Sequence, residues 1–225
     1  MRLRERAHRL GRVSAVLVVT SVTAEREAIE AGLAEARPGP AVRIVTVDAG
    51  VGVANAAATT AAVLAERPYA AVLSVGIAGG LGVPAGGLVL GTASVAADLG
   101  ADSPDGFLSL DDLGLGSSTL ECDPDLTDRL ATRLPDAVRG TILTVSTVTG
   151  TAARADWLRT RHPDAVAEAM EGFGVATAAA RAGVPFAEVR AISNAVGPRD
   201  RQAWRIDDAL TALRRVGGAL ATLRR

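Results

Sequence analysis

The chain has 225 residues, 48% of them hydrophobic, which is enough for one sizeable core and a single domain. A formal net charge of −1 gives no electrostatic case for nucleic acid or an anionic membrane as partner, and no apolar run reaches the ~18–20 residues of a membrane span. The single cysteine, Cys122, excludes an intramolecular disulfide and any zinc site built on two cysteines.

The chain opens with RLRERAHRLGR. Residues 1–13 read as an arginine-rich extension ahead of a domain spanning 14–225. The apolar run after it is at the lower limit for a secretory signal and lacks a small-residue cleavage site, so a cytoplasmic location is expected. From there, short aliphatic runs alternate with helical patterns, which predicts an α/β fold with a largely parallel sheet covered on both faces. Strands are predicted at 15–20, 42–47, 71–76, 88–96, 141–148 and 187–192. Helices are predicted at 25–33, 52–66, 125–134, 152–161, 175–181 and 207–223. The span 165–170 fits either a strand feeding a helix or the first turns of one longer helix. Gly183, shortly before Pro185, reads as a helix stop. The Gly-, Asp-, Ser- and Pro-rich stretch 98–112 reads as a long functional loop or lid.

Five places carry candidate chemistry. The strand AEVRAI stops at the small polar pair Ser193-Asn194, followed by glycine and proline. Upstream, Ala169-Met170-Glu171-Gly172 sets one carboxylate in small, apolar surroundings. Open α/β sheets bind ligands at the carboxyl ends of their strands, and an amide and a carboxylate there suit a ligand with a base and a sugar. Two glycine clusters, Asp48–Asn55 and Val75–Leu81, allow close backbone approach to a ligand. Asn55 breaks the dinucleotide fingerprint, and the Gly-Lys-Ser/Thr of a phosphate loop is missing from the second cluster. Finally, Glu25 and Glu27 follow the first strand. They suit the helix dipole, or one of them is a general base facing the strand ends while the other points outward; spacing alone does not choose. With aromatics at 3%, a ring for base stacking is scarce, and Phe107 and Phe173 are the candidates.

SVGIAGGLG, EAMEGFGVA and VRAISNAVG, in that order and spacing, resemble the nucleoside phosphorylase/nucleosidase superfamily, which includes 5′-methylthioadenosine/S-adenosylhomocysteine nucleosidases. The resemblance runs from Ala15 to Leu223 and implies a single-domain, three-layer α/β/α fold with a mostly parallel mixed central sheet. It also implies roles. Glu171 would hold the ribose 2′- and 3′-hydroxyls, as an acceptor-only carboxylate can, and Met170 would pack on the sugar. Glu27 would activate the attacking water, and Asn194 would read the imidazole edge of the purine. Ile77, Ala78 and Gly79 match the glycine-rich turn near the sugar. Thr147–Thr151, with Val148 and Gly150, matches the loop framing the base, without its usual aromatic.

Two departures sharpen the expectation. Where adenine-specific members carry Asp, this chain has Asn194. An amide donates to a 6-oxopurine but supplies no proton, which favours hypoxanthine as leaving base. Asp200 or a water is left as proton source. Ile77 stands where phosphorylases commonly place a hydroxyl residue for phosphate, which favours water as nucleophile. The ending ISNAVGPRDRQAWRI resembles in particular the branch that cleaves futalosine to hypoxanthine and dehypoxanthine futalosine in menaquinone biosynthesis. Arg199, Arg201 and Arg205 are candidates for that substrate's carboxylated tail. The resemblance calls for no metal or organic cofactor and implies a homodimer or higher homo-oligomer. A purine nucleoside phosphorylase, an adenine-specific nucleosidase and a non-catalytic nucleotide-binding module remain the alternatives.

Overall fold

The structure is a computed structural model and describes residues 15–36 and 42–223; the extension expected at 1–13 lies outside them. In chain order the elements are β1 (Ala15–Thr20), α1 (Thr23–Glu35), β2 (Arg43–Asp48), α2 (Val53–Glu66), β3 (Ala71–Gly80) and β4 (Leu88–Ala96). Then come β5 (Gly100–Ser103), β6 (Gly106–Ser109), β7 (Thr119–Glu121), α3 (Pro124–Ala131), β8 (Val138–Thr144) and α4 (Ala152–Arg161). The chain closes with β9 (Ala165–Ala169), α5 (Gly172–Ala182), β10 (Phe186–Ala195), a 3₁₀ turn (Arg201–Ala203) and α6 (Ile206–Ala221).

All strands except the β5–β6 hairpin share one mixed sheet, in which β3, β10, β4, β8 and β9 pair in a closed ring and β1 and β2 extend from β3. Most pairings are parallel; β10–β4, β3–β9 and β4–β7 are antiparallel. Alternation along β1 explains the layers. Val16 and Val18 pack with Ile29 of α1 and Leu213, Val216 and Leu220 of α6. Leu17 and Val19 face the other way, onto Ala56 of α2 and Val175, Ala176 and Ala179 of α5. Both faces are covered, so every β1 residue is buried and the strand reads as an unbroken aliphatic run. On one side α1 and α6 meet backbone to backbone, where a side chain at Gly32 would run into the Arg214 carbonyl.

Several boundaries moved. The span 165–170 is a strand, β9, parallel to β8 and antiparallel to β3. The strand predicted at 141–148 runs instead from Val138 to Thr144, because Val145 and Ser146 turn their N–H groups to Ala169 O and Asp98 Oδ2. The stretch 98–112 is not a free lid. It folds into the β5–β6 hairpin, pinned to α4 by the Arg161–Asp112 ion pair and by edge-on packing of Phe107 against Trp157. Gly183 ends α5 in the left-handed region, φ +65°, where glycine has no steric cost.

Candidate active site

Two clusters lie side by side at the carboxyl ends of β3, β9 and β10. The first is charged. Arg190, on β10, is 1% exposed; its Nε donates to Glu188 Oε1 at 2.9 Å, and its Nη2 to Ser74 Oγ at 2.9 Å. Nη1 reaches Glu171 Oε2 at 3.4 Å. Glu25 completes the group: the space a Cβ at Gly76 would fill lies 2.8 Å from both Arg190 Nη1 and Glu25 Oε1. The guanidinium is therefore paired with two buried carboxyl groups, Glu188 and Glu171, and a third, Glu25, lies nearby. Desolvation is strongest at Glu188, whose carboxyl is pushed above the usual range despite Arg190 beside it.

Helical geometry separates the two candidate glutamates after β1. Glu25 falls at the third position of α1, where Oε2 accepts from Ser21 N, Ser21 Oγ and Val22 N, while Oε1 accepts from Ile77 N at 2.7 Å. Glu27 lies two residues, ~200°, further round the helix and is exposed. The acid facing the strand ends is Glu25, which corrects the expectation for Glu27.

Glu171 is 7% exposed and stands two residues beyond the end of β9. Its Oε1 accepts from Gly52 N at 3.2 Å, and its Oε2 from Met170 N at 3.3 Å. The glycine turn after β2 does bring a backbone N–H to an anion at a helix N-terminus, and that anion is this chain's own Glu171. Gly52 holds φ +96° to do so. A carboxylate offers about four acceptor sites; with Gly52, Met170 and Arg190 on three of them, Glu171 retains about one for a hydroxyl donor.

The second cluster is a cavity lined by Gly79, Val148, Thr149, Glu168, Asn194, Val196 and Trp204, among others. Strand register builds it. Gly79 on β3 pairs with Asn194 on β10 and with Glu168 on β9, so both side chains rise on the same side of a residue that has none. A Cβ on Gly79 would sit 2.8 Å from Val196 Cγ2. Asn194 Oδ1 accepts from Ser193 Oγ at 2.7 Å and its Nδ2 donates to Ala195 O at 3.0 Å, leaving one amide hydrogen for a ligand.

Of the residues singled out in the sequence, Gly79, Val148 and Asn194 meet in this cavity. Ala78 is buried beside it, and Ile77 and Met170 are half-buried around the charged cluster. Ile77, Ala78 and Gly79 are not a turn: pairing on both sides keeps β3 extended to Gly80. Gly150 stands behind the wall, its carbonyl accepting from Arg199 N at 3.1 Å. Glu171 does not line the cavity. Asp200 is exposed and caps the 3₁₀ turn through Gln202 N, so it is not placed to protonate a base. Arg199 lines the cavity, whereas Arg205 pairs with Asp208.

Sequence reasoning missed Glu168, Glu188, Arg190 and Trp204. The signal for the middle two was present: Glu and Arg at alternate positions of a buried strand must share a face and pair. Trp204, with Arg199 stacked 5.2 Å from its ring centre, brings to the cavity the aromatic that the 147–151 loop lacks. Phe107 is spent on Trp157, and Phe173 belongs to α5.

A closed mixed sheet with acids and an amide at its strand ends is the frame of a nucleoside-cleaving enzyme. The chain matches the family model "Phosphorylase superfamily" over residues 9–223, and it belongs to that family. It is 51% identical to the futalosine hydrolase of Streptomyces coelicolor, over 92% of this chain and 94% of that one. It is also 51% identical to the futalosine hydrolase of Acidothermus cellulolyticus, over 91% and 89%. Among solved structures, the 5′-methylthioadenosine/S-adenosylhomocysteine nucleosidase of Neisseria meningitidis superposes with a TM-score of 0.77 at 20% identity, covering 93% of this chain and 97% of that one. The futalosine hydrolase of Helicobacter pylori does so with a TM-score of 0.77 at 17% identity, covering 92% and 96%. Among the described residues, no helix is long and apolar enough to cross a membrane.

Proposed function

We propose that this chain is a nucleosidase that hydrolyses the N-glycosidic bond of futalosine, releasing hypoxanthine. The observation that carries the reading is the spacing on β3. Ile77 N bonds Glu25 and, two residues or about 7 Å along the strand, Gly79 floors the cavity of Asn194. That distance suits one nucleoside, with its base in the cavity and its sugar over the charged cluster. Identity above one half to two futalosine hydrolases supports the choice of substrate.

In this reading Glu25 orients and deprotonates the attacking water. Glu171 accepts from a ribose hydroxyl and opposes the positive charge that develops at the anomeric carbon. Asn194 donates to the 6-oxopurine, and Trp204 offers it a face. Water is favoured over phosphate by charge: Arg190 is already paired with Glu188 and Glu171, with Glu25 nearby, so among the described residues of this cluster an incoming dianion finds no uncommitted cation. The protein acts as a cytoplasmic homodimer or larger homo-oligomer. The test is incubation with futalosine, inosine and methylthioadenosine in phosphate-free buffer. Hypoxanthine released from futalosine, at a rate that added phosphate does not change, supports the reading. Strict dependence on phosphate, or adenine as the preferred product, overturns it.

A further inference from the structure

Asn194 raises a problem that the cavity itself answers. An amide steadies a purine but cannot give it a proton, and a purine leaves far more readily when protonated. The other polar wall of the cavity is Glu168. Its position follows from strand register: Gly79, with no side chain, lies between Asn194 on one flank and Glu168 on the other, with about 10 Å between their Cα atoms. A planar heterocycle over Gly79 therefore meets an amide on one edge and a carboxyl on the other.

We propose that Glu168 is the acid that protonates the leaving base. The inference rests on the futalosine-cleaving reading above. As the N9–C1′ bond breaks, its electron pair passes into the purine. The Glu168 carboxyl proton goes to a ring nitrogen of the purine on the edge away from Asn194, so the base departs neutral. The water oxygen bonds to C1′ and its proton goes to Glu25. Exchange with solvent then returns both carboxyl groups to their starting states.

The surroundings of Glu168 fit an acid that must be protonated before the step and stabilised after it. It is 6% exposed, and burial pushes its carboxyl above the usual range. Thr149, in the loop between β8 and α4, is poised for the conjugate base: its N–H donates to Oε1 at 2.8 Å and its hydroxyl to Oε2 at 2.5 Å. The charged groups facing it are Arg154 of α4, which favours the carboxylate, Asp98 after β4, which opposes it, and Arg199 across the cavity. No such acid was visible in the sequence, where Glu168 is one more charge in a run of alanines.

The experiment is the pH dependence of hypoxanthine release from futalosine by the wild type, Glu168→Gln, Glu168→Asp and Thr149→Val, with thermal melts to confirm folding. The wild type is expected to lose kcat as pH rises through the carboxyl's raised value. Glu168→Gln still accepts from Thr149 but has no proton to give; it is expected to fall ~100-fold or more in kcat, with little change in KM and no such limb. Glu168→Asp is expected to restore a limb. Thr149→Val, deprived of the hydroxyl that steadies the carboxylate, is expected to move it to higher pH. Wild-type kcat in Glu168→Gln overturns the proposal, and so does a loss that leaves the limb in place. A wild type that leaves futalosine intact overturns the reading beneath it, and the proposal falls with it.

Discussion

The backbone N–H of Ile77 donates to Oε1 of Glu25 at 2.7 Å, joining the first turn of α1 to β3 across 52 positions of sequence. Oε2 is occupied by Ser21 and Val22, so the carboxylate is fixed in direction, with Oε1 toward the strand ends. General base catalysis typically contributes about 10²–10⁴-fold, and Glu25→Gln is expected to lose that much in kcat. Glu27→Gln, on the solvent side of the same helix, is expected to stay within about twofold. Steady-state kinetics on both variants checks the assignment; equal losses would contradict it.

Arg190 holds Glu188 and Glu171 together inside the protein. Removing one partner of a buried ion pair costs about 3–5 kcal/mol, since the other charge is left uncompensated. Arg190→Met is expected to unfold at markedly lower denaturant, and urea titration measures it. Unchanged stability would show that the carboxyl groups do not depend on the guanidinium.

Gly79 is the floor of the cavity, and its lack of a side chain is steric rather than conformational. Gly79→Val is expected to raise KM for futalosine at least tenfold, because its branches press on Val196 and fill the gap between Glu168 and Asn194. Product assays at varied substrate concentration test this, with a melting curve to separate a filled cavity from a lost fold.

Asn194→Asp exchanges an amide donor for an acceptor at the edge of the base. A site that leaves a buried polar group unpaired discriminates strongly. The ratio of hypoxanthine release from inosine to adenine release from methylthioadenosine is expected to fall tenfold or more. A ratio that does not move would take Asn194 out of base recognition.

Glu168 also ties stability to pH. Its folded-state value lies above the ordinary carboxylate range, so over that window the folded protein binds the proton more firmly than the unfolded chain. The contribution is present at acid pH and is lost as pH rises through the raised value. Melting temperatures of the wild type and Glu168→Gln are expected to diverge with rising pH, the wild type losing more; parallel curves would argue against a raised value.

The sequence by itself determined the alternation of the main strands and helices, though not β5, β6 or β7, together with both faces of the sheet being covered and the strand end at Ser193-Asn194. β1, β4 and α4 begin and end where the pattern placed them, since aliphatic runs, caps and breakers act over a few residues. The motifs at Glu171 and Asn194 were legible for the same reason, as short polar interruptions in apolar surroundings. What the tertiary structure decided were contacts between distant segments. Helix phase chose Glu25 over Glu27 only once β3 showed which side was the interior. β9 existed as a strand only because β8 and β3 were there to pair with it, and β8 stopped at Thr144 although β-branched residues continue past it. Glu168 meets Asn194 across the cavity floor because registers on both sides of Gly79 align the two. Local preference is written in neighbouring residues; which side chains meet across a sheet depends on pairing that no window of sequence contains.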